Sequence, residues 1–381
     1  MHDPFPLKPP AALVPYAEKL GAALALPTLP LHFHEVMVAY AIYHVTNTYL
    51  SPAFSRAVFP RTYNALSART RLNWDVHMVS FVQSVLICAL ALWVMWADVE
   101  RNEMDSTERV HGYTGASGLI QAFAGGYFLW DLVITVQNVS MFGLGMLFHA
   151  ISALVVFSLG FRPFVNYYAP TFILYELSSP FLNIHWFCDK LNMTGSRVQF
   201  INGIALLCTF FSCRLLWGTY NSFLVFGDVW RAYTAGACTL SDPAFAKPNK
   251  SNSTTLGTDA AFKHDVLQFA EGQTVPLWLT AAYLASNLTL NGLNWFWFAK
   301  MIETLRKRFD PPLGTRRPHK EIPDPKPDTP DLVLVQGTHV LTPAALQRDD
   351  VDYLNVQHKV HVTTASATHA TTSQVRTRRK G

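Results

Sequence analysis

The sequence is poor in charged residues, which make up only 15% of its 381 residues, against about 25% in an average soluble domain. Residues 76–97 and 274–299 contain no ionised side chain, and residues 118–160 contain only Asp131. About 20 mostly apolar residues suffice for a helix to cross the roughly 30 Å hydrocarbon layer of a bilayer. The scarcity of charge therefore excludes an ordinary soluble enzyme and a disordered chain.

Cysteine is scarce too, with 5 residues in the whole chain and no Cys-x-x-Cys pair. This count excludes a disulfide framework, and the absent pair removes the usual signal for a zinc or redox site. The spacing of His32-Phe33-His34 suits a metal, yet without a zinc motif we prefer a place at the membrane interface and predict no metal site. The net charge of +4 is small, so we expect no nucleic-acid partner. The sequence has no phosphate loop or zinc motif, so we expect no cofactor.

The apolar blocks that remain predict an all-α fold, a polytopic transmembrane helix bundle of about seven spans. The predicted spans are 34–51, 76–97, 118–137, 141–160, 167–186, 199–222 and 274–299. The fifth span contains Pro170 and Pro180. Because proline removes an internal hydrogen bond of the helix, this span is expected to be kinked or partly re-entrant.

Arginine and lysine follow the first and the last predicted span, which places both of these segments in the cytosol by the positive-inside rule. The predicted domains are an N-terminal lumenal segment (1–33), the first span with a basic cytosolic loop (34–68), a transmembrane domain (69–305) with a lumenal loop (227–273), and a disordered cytosolic tail (306–381). Asn249 and Asn252 begin Asn-x-Ser/Thr sequons in that loop, so both are glycosylation candidates.

A few ionisable residues lie inside the predicted spans, where each costs on the order of 2.5–3.5 kcal/mol on insertion scales. Polar neighbours follow them at helical spacing, as in Glu176, Ser179 and Asn183. Lipid cannot satisfy these groups, so we expect them to converge in a polar centre that binds a lipid. The candidate residues are Asp131, His149, Ser152, Glu176, Ser179, Asn183 and Arg214. Two alternatives stay open: helix–helix hydrogen bonds alone, and Arg214 as a counter-ion.

Three segments resemble motifs of the TLC-domain family, which includes the ceramide synthases. They are Gly-Tyr-Phe-Leu-Trp-Asp-Leu (126–132), Phe-His-Ala-Ile-Ser (148–152) and Tyr-Glu-Leu-Ser-Ser-Pro-Phe-Leu-Asn-Ile-His-Trp (175–186). The third is closest to the small TLC-domain proteins, and the likeness spans roughly 69–305. The resemblance implies a multi-pass, lipid-related protein of the endoplasmic reticulum or connected membranes.

The sequence departs from the ceramide synthases at two positions. Phe148 stands where they have the first of two adjacent histidines, and Ser179 stands where they have a second aspartate. A phenyl ring can neither accept a proton nor carry an acyl group. We therefore prefer a protein that binds or senses a membrane lipid and contributes to lipid homeostasis, more a binding protein than an enzyme.

Two alternatives belong to other functional classes. In the first, the chain is an N-acyltransferase that uses acyl-CoA, with His149 as base or acyl acceptor and Glu176 and Asp131 as catalytic helpers. In the second, it is a cargo or translocation protein that works through a protein partner or as a homodimer.

Overall fold

The computed structural model describes residues 1–238 and 266–309, and this part of the chain is helical without a strand. The helices are α1 (Val14–Leu24), α2 (Leu29–Val45), α3 (Ser51–Val58), α4 (Pro60–Ala65), α5 (Ala68–Ala97), α6 (Val99–Asn102), α7 (Glu108–His111), α8 (Gly115–Gln137), α9 (Val139–Phe142), α10 (Leu144–Leu159), α11 (Ala169–Ile173), α12 (Ser179–Lys190), α13 (Arg197–Phe210), α14 (Gly218–Ala235) and α15 (Leu277–Phe309). The all-α fold is confirmed.

Short hydroxyl side chains begin the long helices. Ser67 accepts a hydrogen bond from the backbone of Thr70 at the start of α5, and Thr114 accepts one from Ser117 at the start of α8. These caps satisfy backbone donors that have no partner inside the helix. Helices α5 and α8 therefore each begin at a residue that the sequence marks.

Two π-helical turns lengthen helices that would otherwise end. Thr46–Leu50 joins α2 to α3, and Phe211–Trp217 joins α13 to α14. The second turn produces one continuous helix of 39 residues, Arg197–Ala235. It continues past residue 227, where the sequence analysis begins the lumenal loop. Such turns are frequent at functional sites, and this one carries Arg214.

The fifth predicted span is broken into short pieces. Helix α11 is preceded by a 3-10 turn at Asn166–Tyr168, and a second 3-10 turn at Leu174–Ser178 separates it from α12. Pro170 and Pro180 lie in the first turns of α11 and α12, where the missing N–H costs nothing. The prolines thus start two helices rather than kink one.

The predicted number of seven spans is not confirmed. Within residues 1–238 and 266–309, three helices are long and apolar enough to cross a membrane, namely Ala68–Ala97, Gly115–Gln137 and Arg197–Ala235. A bent pair, Val14–Leu24 with Leu29–Val58, gives up to four. Helix α10 has only 16 residues, and asparagines lower the hydropathy of α15. The two counts differ because the prediction from sequence scored apolar content without helix length and breaks.

Helix α8 lies at the centre of the bundle. It packs against α2, α10 and α5, and 78% of its most apolar part is buried inside the protein. The corresponding share is only 39% in Arg197–Ala235, whose apolar side chains such as Phe223 and Trp230 are exposed. A central helix surrounded by others is where polar side chains escape lipid.

A partly buried ion pair holds the segment between α5 and α8 against α14. The guanidinium of Arg109 donates to both carboxylate oxygens of Asp228 on α14, at 2.6 and 3.0 Å, and the Tyr168 hydroxyl donates to the same carboxylate at 2.7 Å. The pairing with Asp228 raises the pKa of Arg109. A bidentate contact of this kind fixes geometry as well as charge.

His111 makes the stability of this segment depend on pH. Its side chain is buried, and the desolvation lowers its pKa to about 4 from an ordinary 6.5. The unfolded chain therefore binds a proton before the folded one does, and stability is lost as the pH falls from about 6.5 towards 4. Between pH 7 and pH 5 we expect a loss of about 1–2 kcal/mol from this group.

The test compares melting temperatures in detergent at pH 7, 6 and 5. His111→Gln removes the titration, so its melting temperature should fall less on acidification than that of the wild type. His2→Gln, at an exposed histidine, is the control and should follow the wild type. Parallel curves for all three proteins would contradict the assignment.

Candidate functional site

Asp131 lies on α8, at the centre of the bundle. The side chain is 1% exposed, and its Oδ2 atom has no hydrogen-bond partner among the described residues. Tyr127 precedes it by one turn on the same helix and is also buried. A buried oxygen without a donor costs about 1–3 kcal/mol, and more when it is charged.

Glu176 approaches Asp131 from the 3-10 turn Leu174–Ser178. It is buried, it is hydrogen-bonded by Ser179, and it lies within electrostatic range of Asp131. The tight turn is the local reason for its position, since the two flanking proline-started helices leave the carboxylate between them. The structure thus brings two acidic side chains together inside the bundle.

Arg214 supplies the positive charge from the π-helical turn. Its Nε donates to the Ser178 hydroxyl at 2.9 Å, and its Nη1 donates to Asn294 Oδ1 at 3.3 Å. The guanidinium also stacks 4.6 Å from the centroid of the Phe210 ring. Among the described residues it forms no ion pair, although Glu176 is within electrostatic range. Its Nη2 atom is buried without a partner in that part of the chain.

Asn183 joins α12 to α5. His77 Nδ1 lies 2.8 Å from Asn183 Oδ1, and the amide of Asn183 donates to Ser80 Oγ at 3.1 Å. These contacts assign the proton of the histidine to Nδ1, which leaves Nε2 as an acceptor. That Nε2 is buried with no partner in the described residues, and Trp186 stacks on the ring at 4.0 Å.

Tyr127 links the group formed by His77, Ser80 and Asn183 to the two carboxylates. It is hydrogen-bonded to Ser80 and within electrostatic range of both carboxylates. Tyr43 of α2 contacts its ring at 5.3 Å between centroids, and the hydroxyl of Tyr43 is buried without a partner in the described part of the chain. The polar centre is therefore a connected set. We define it as Tyr43, His77, Ser80, Tyr127, Asp131, Glu176, Ser179, Asn183 and Arg214.

Two of the predicted residues cannot be placed in the polar centre. The backbone of His149 and Ser152 lies on α10, and their side chains lie outside the described residues, as do the glycosylation candidates Asn249 and Asn252. The structure therefore groups Asp131, Glu176, Ser179, Asn183 and Arg214 from the predicted set.

His77, Tyr43 and Tyr127 are absent from the site residues predicted from sequence. Two of them carried a signal, because His77 recurs with Ser80 and Ser84 at helical spacing and Tyr127 precedes Asp131 by one turn on the same predicted helix face. Tyr43 carried none, since aromatic residues in spans are more often interfacial anchors. Only the packing of α2 on α8 reveals that both tyrosine hydroxyls are buried.

The polar centre can bind a ligand through its buried polar atoms that have no hydrogen-bond partner among the described residues. Asp131 Oδ2 and His77 Nε2 can accept hydrogen bonds, while Arg214 Nη2 and the Tyr43 hydroxyl can donate them. They come from four different helical segments. The arrangement can bind a polar group that offers donors and acceptors together.

Comparison with known proteins gives a consistent match. A profile of the TLC domain matches residues 73–303. An uncharacterised TLC domain-containing protein of Schizosaccharomyces pombe is 36% identical over 300 residues, covering 78% of this chain and 87% of the relative. Topoisomerase I damage affected protein 4 of Saccharomyces cerevisiae is 24% identical over 286 residues (74% and 86%). Human TLC domain-containing protein 4 is 27% identical over 181 residues (47% and 67%). No solved structure matches the chain.

Proposed function

The chain belongs to the TLC-domain family of membrane proteins, and from this premise we propose that it binds the headgroup of a membrane lipid in its polar centre and thereby contributes to lipid homeostasis. The proposed location is the endoplasmic reticulum or a connected membrane. The observation that carries the proposal is the set of buried polar atoms without partners, above all Asp131 Oδ2.

The energetics favour a ligand over an empty site. Each buried polar atom without a partner costs about 1–3 kcal/mol, and Asp131, His77, Arg214 and Tyr43 each contribute one such atom among the described residues. A bound headgroup would satisfy several of them at once. Helix–helix hydrogen bonding alone does not account for them, because these atoms have no hydrogen-bond partner in the described part of the chain.

A lipid suits the surroundings better than a soluble metabolite. The polar centre lies among candidate membrane-spanning helices, α5 and α8 among them, where a lipid arrives from within the bilayer. The polar centre contains one arginine and two carboxylates. It therefore favours a headgroup that carries both hydrogen-bond donors and acceptors, rather than a simple anion. The apolar walls around α8 would contact acyl chains.

The test is mass spectrometry of the lipids that remain with the protein after purification in mild detergent. We expect one lipid class to be enriched in the wild type relative to the bulk membrane. Glu176→Gln removes a charged hydrogen-bonding group worth about 1.5–3 kcal/mol, so enrichment should fall about 10- to 100-fold. The substitution keeps the shape of the side chain, so the protein should stay folded.

Glu103→Gln, at an exposed glutamate, is the matched control and should retain the lipid. Asp131→Asn is a second isosteric variant of the polar centre and should lose it. No enriched class in the wild type, or equal enrichment in all variants, would refute the proposal. If the wild type turns over acyl-CoA and His149→Ala abolishes that activity, the function is acyl transfer and not lipid binding.

A further inference from the structure

A second polar cluster lies away from the polar centre, where the N-terminal segment contacts α2. It consists of Asp3, His32 and Glu35. His32 Nδ1 is 2.8 Å from Glu35 Oε2 and 3.7 Å from Asp3 Oδ2. One oxygen or nitrogen of each residue lies within 4.8 Å of the others. His32 and Glu35 are fully buried, whereas Asp3 reaches solvent.

The charges in this cluster do not balance. Two carboxylates lie beside His32, the Nε2 atom of His34 is 3.8 Å from Glu35 Oε1, and no lysine or arginine pairs with either carboxylate among the described residues. Glu35 Oε1 is buried and accepts no hydrogen bond there. An uncompensated buried carboxylate is strongly unfavourable. A divalent cation would neutralise the pair.

The cluster also has a hydrogen-bond partner for the ring nitrogen of His32 that would not bind the metal. Tyr113 OH lies 2.6 Å from His32 Nε2, on the side of the ring opposite the two carboxylates. Metal-ligating histidines almost always donate their other ring N–H to a partner of this kind, which fixes the tautomer. His32 would then present Nδ1 as a lone-pair donor toward Asp3 and Glu35.

Two glycines on α8 make room for the cluster. A methyl group at Gly118 would overlap the His32 imidazole, and one at Gly115 would overlap Asp3. These glycines are three residues apart and lie on one face of α8. The close approach of both ligands to the helix therefore depends on residues without a side chain.

We propose that Asp3, His32 and Glu35 form a binding site for a divalent transition metal, with Zn²⁺ as the best-fitting ion. One nitrogen and two carboxylate oxygens are common zinc ligands, and three protein ligands leave a position for water. The ligands lie on the N-terminal segment and on α2, one turn apart at positions 32 and 35. The metal would fasten the N-terminal segment to α2 and α8.

This proposal is independent of the lipid site, since the two share no residue. The full chain is purified with a tag that contains no histidine, stripped with a chelator and titrated with Zn²⁺, and bound metal is measured by mass spectrometry. We expect about one zinc per chain and a rise in melting temperature. Both should be lost in His32→Ala and in Glu35→Gln, the second of which preserves side-chain shape.

His44→Ala is the matched control, because His44 lies on the same helix with an exposed side chain. It should bind zinc as the wild type does. Tyr113→Phe keeps the three ligands and removes the outer partner, so affinity should fall about 10- to 100-fold. Zinc bound equally by His32→Ala and the wild type, or no zinc in a monodisperse wild type, would overturn the proposal.

Discussion

Arg214→Met is expected to lower the free energy of unfolding by about 3–5 kcal/mol, the cost of breaking a buried charge arrangement by removing one partner. Arg214 is 1% exposed and lies within electrostatic range of Glu176, which in turn is within range of Asp131. Methionine has a similar length and keeps the contact with the Phe210 ring. The loss is therefore electrostatic, together with two hydrogen bonds to Ser178 and Asn294.

Those two hydrogen bonds explain why the loss should be global. Ser178 belongs to the 3-10 turn and Asn294 to α15, so Arg214 joins three segments that are distant in sequence. Unfolding in mixed micelles with increasing sodium dodecyl sulfate measures the change. Arg231→Met is the control, since the Arg231 side chain is 71% exposed, and it should change stability by less than about 1 kcal/mol.

A double variant separates charge from packing. If the arginine offsets the carboxylates, Arg214→Met combined with Glu176→Gln should recover part of the stability that Arg214→Met loses, because less uncompensated charge remains. If the arginine acts only through Ser178 and Asn294, the two substitutions should be additive. Additivity would contradict the electrostatic account.

The sequence predicted much of the fold for identifiable physical reasons. Runs with almost no charge predicted α5 and α8 because lipid excludes ionised side chains. Pro170 and Pro180 predicted a kinked or partly re-entrant span, and the structure has there two short helices separated by the 3-10 turn at Leu174–Ser178. The seven predicted spans are not confirmed, because hydropathy does not register where a helix stops, and the described residues hold three helices, or four with the bent pair, that could cross a membrane. The π-helical turn at Phe211–Trp217 has no such signal, since its residues are ordinary helix formers.

For the candidate sites too, some residues could be predicted from the sequence and others could not. The high cost of charge in lipid indicated Asp131, Glu176 and Arg214 from sequence alone. The cluster of Asp3 with His32 was not predictable, because the two residues are far apart in sequence and meet only when the N-terminal segment packs on α2. Spacing reveals partners on one helix, whereas partners on different segments depend on the tertiary fold.

The second substitution with a large expected effect lies where α8 packs on α2. Gly126→Ala is expected to destabilise the protein by about 2–3 kcal/mol, near the upper end for overpacking a core. A methyl group at Gly126 would lie 2.6 Å from Ala39 Cβ and 2.6 Å from the carbonyl oxygen of Val36. The carbonyl is backbone inside α2, so it cannot rotate away, and the helices must separate.

Gly125→Ala provides the matched control one residue earlier on the same helix. Its methyl group would meet nothing closer than a Phe161 ring carbon at 3.8 Å, an ordinary contact. Because alanine favours a helix over glycine by about 1 kcal/mol, Gly125→Ala should leave stability unchanged or raise it. Opposite signs for two adjacent glycines, measured by unfolding in mixed micelles, would locate the close contact of α2 with α8 at Gly126. Equal effects would show that the two helices do not approach each other there, and Tyr43 of α2 would then have no fixed place beside Tyr127 in the polar centre.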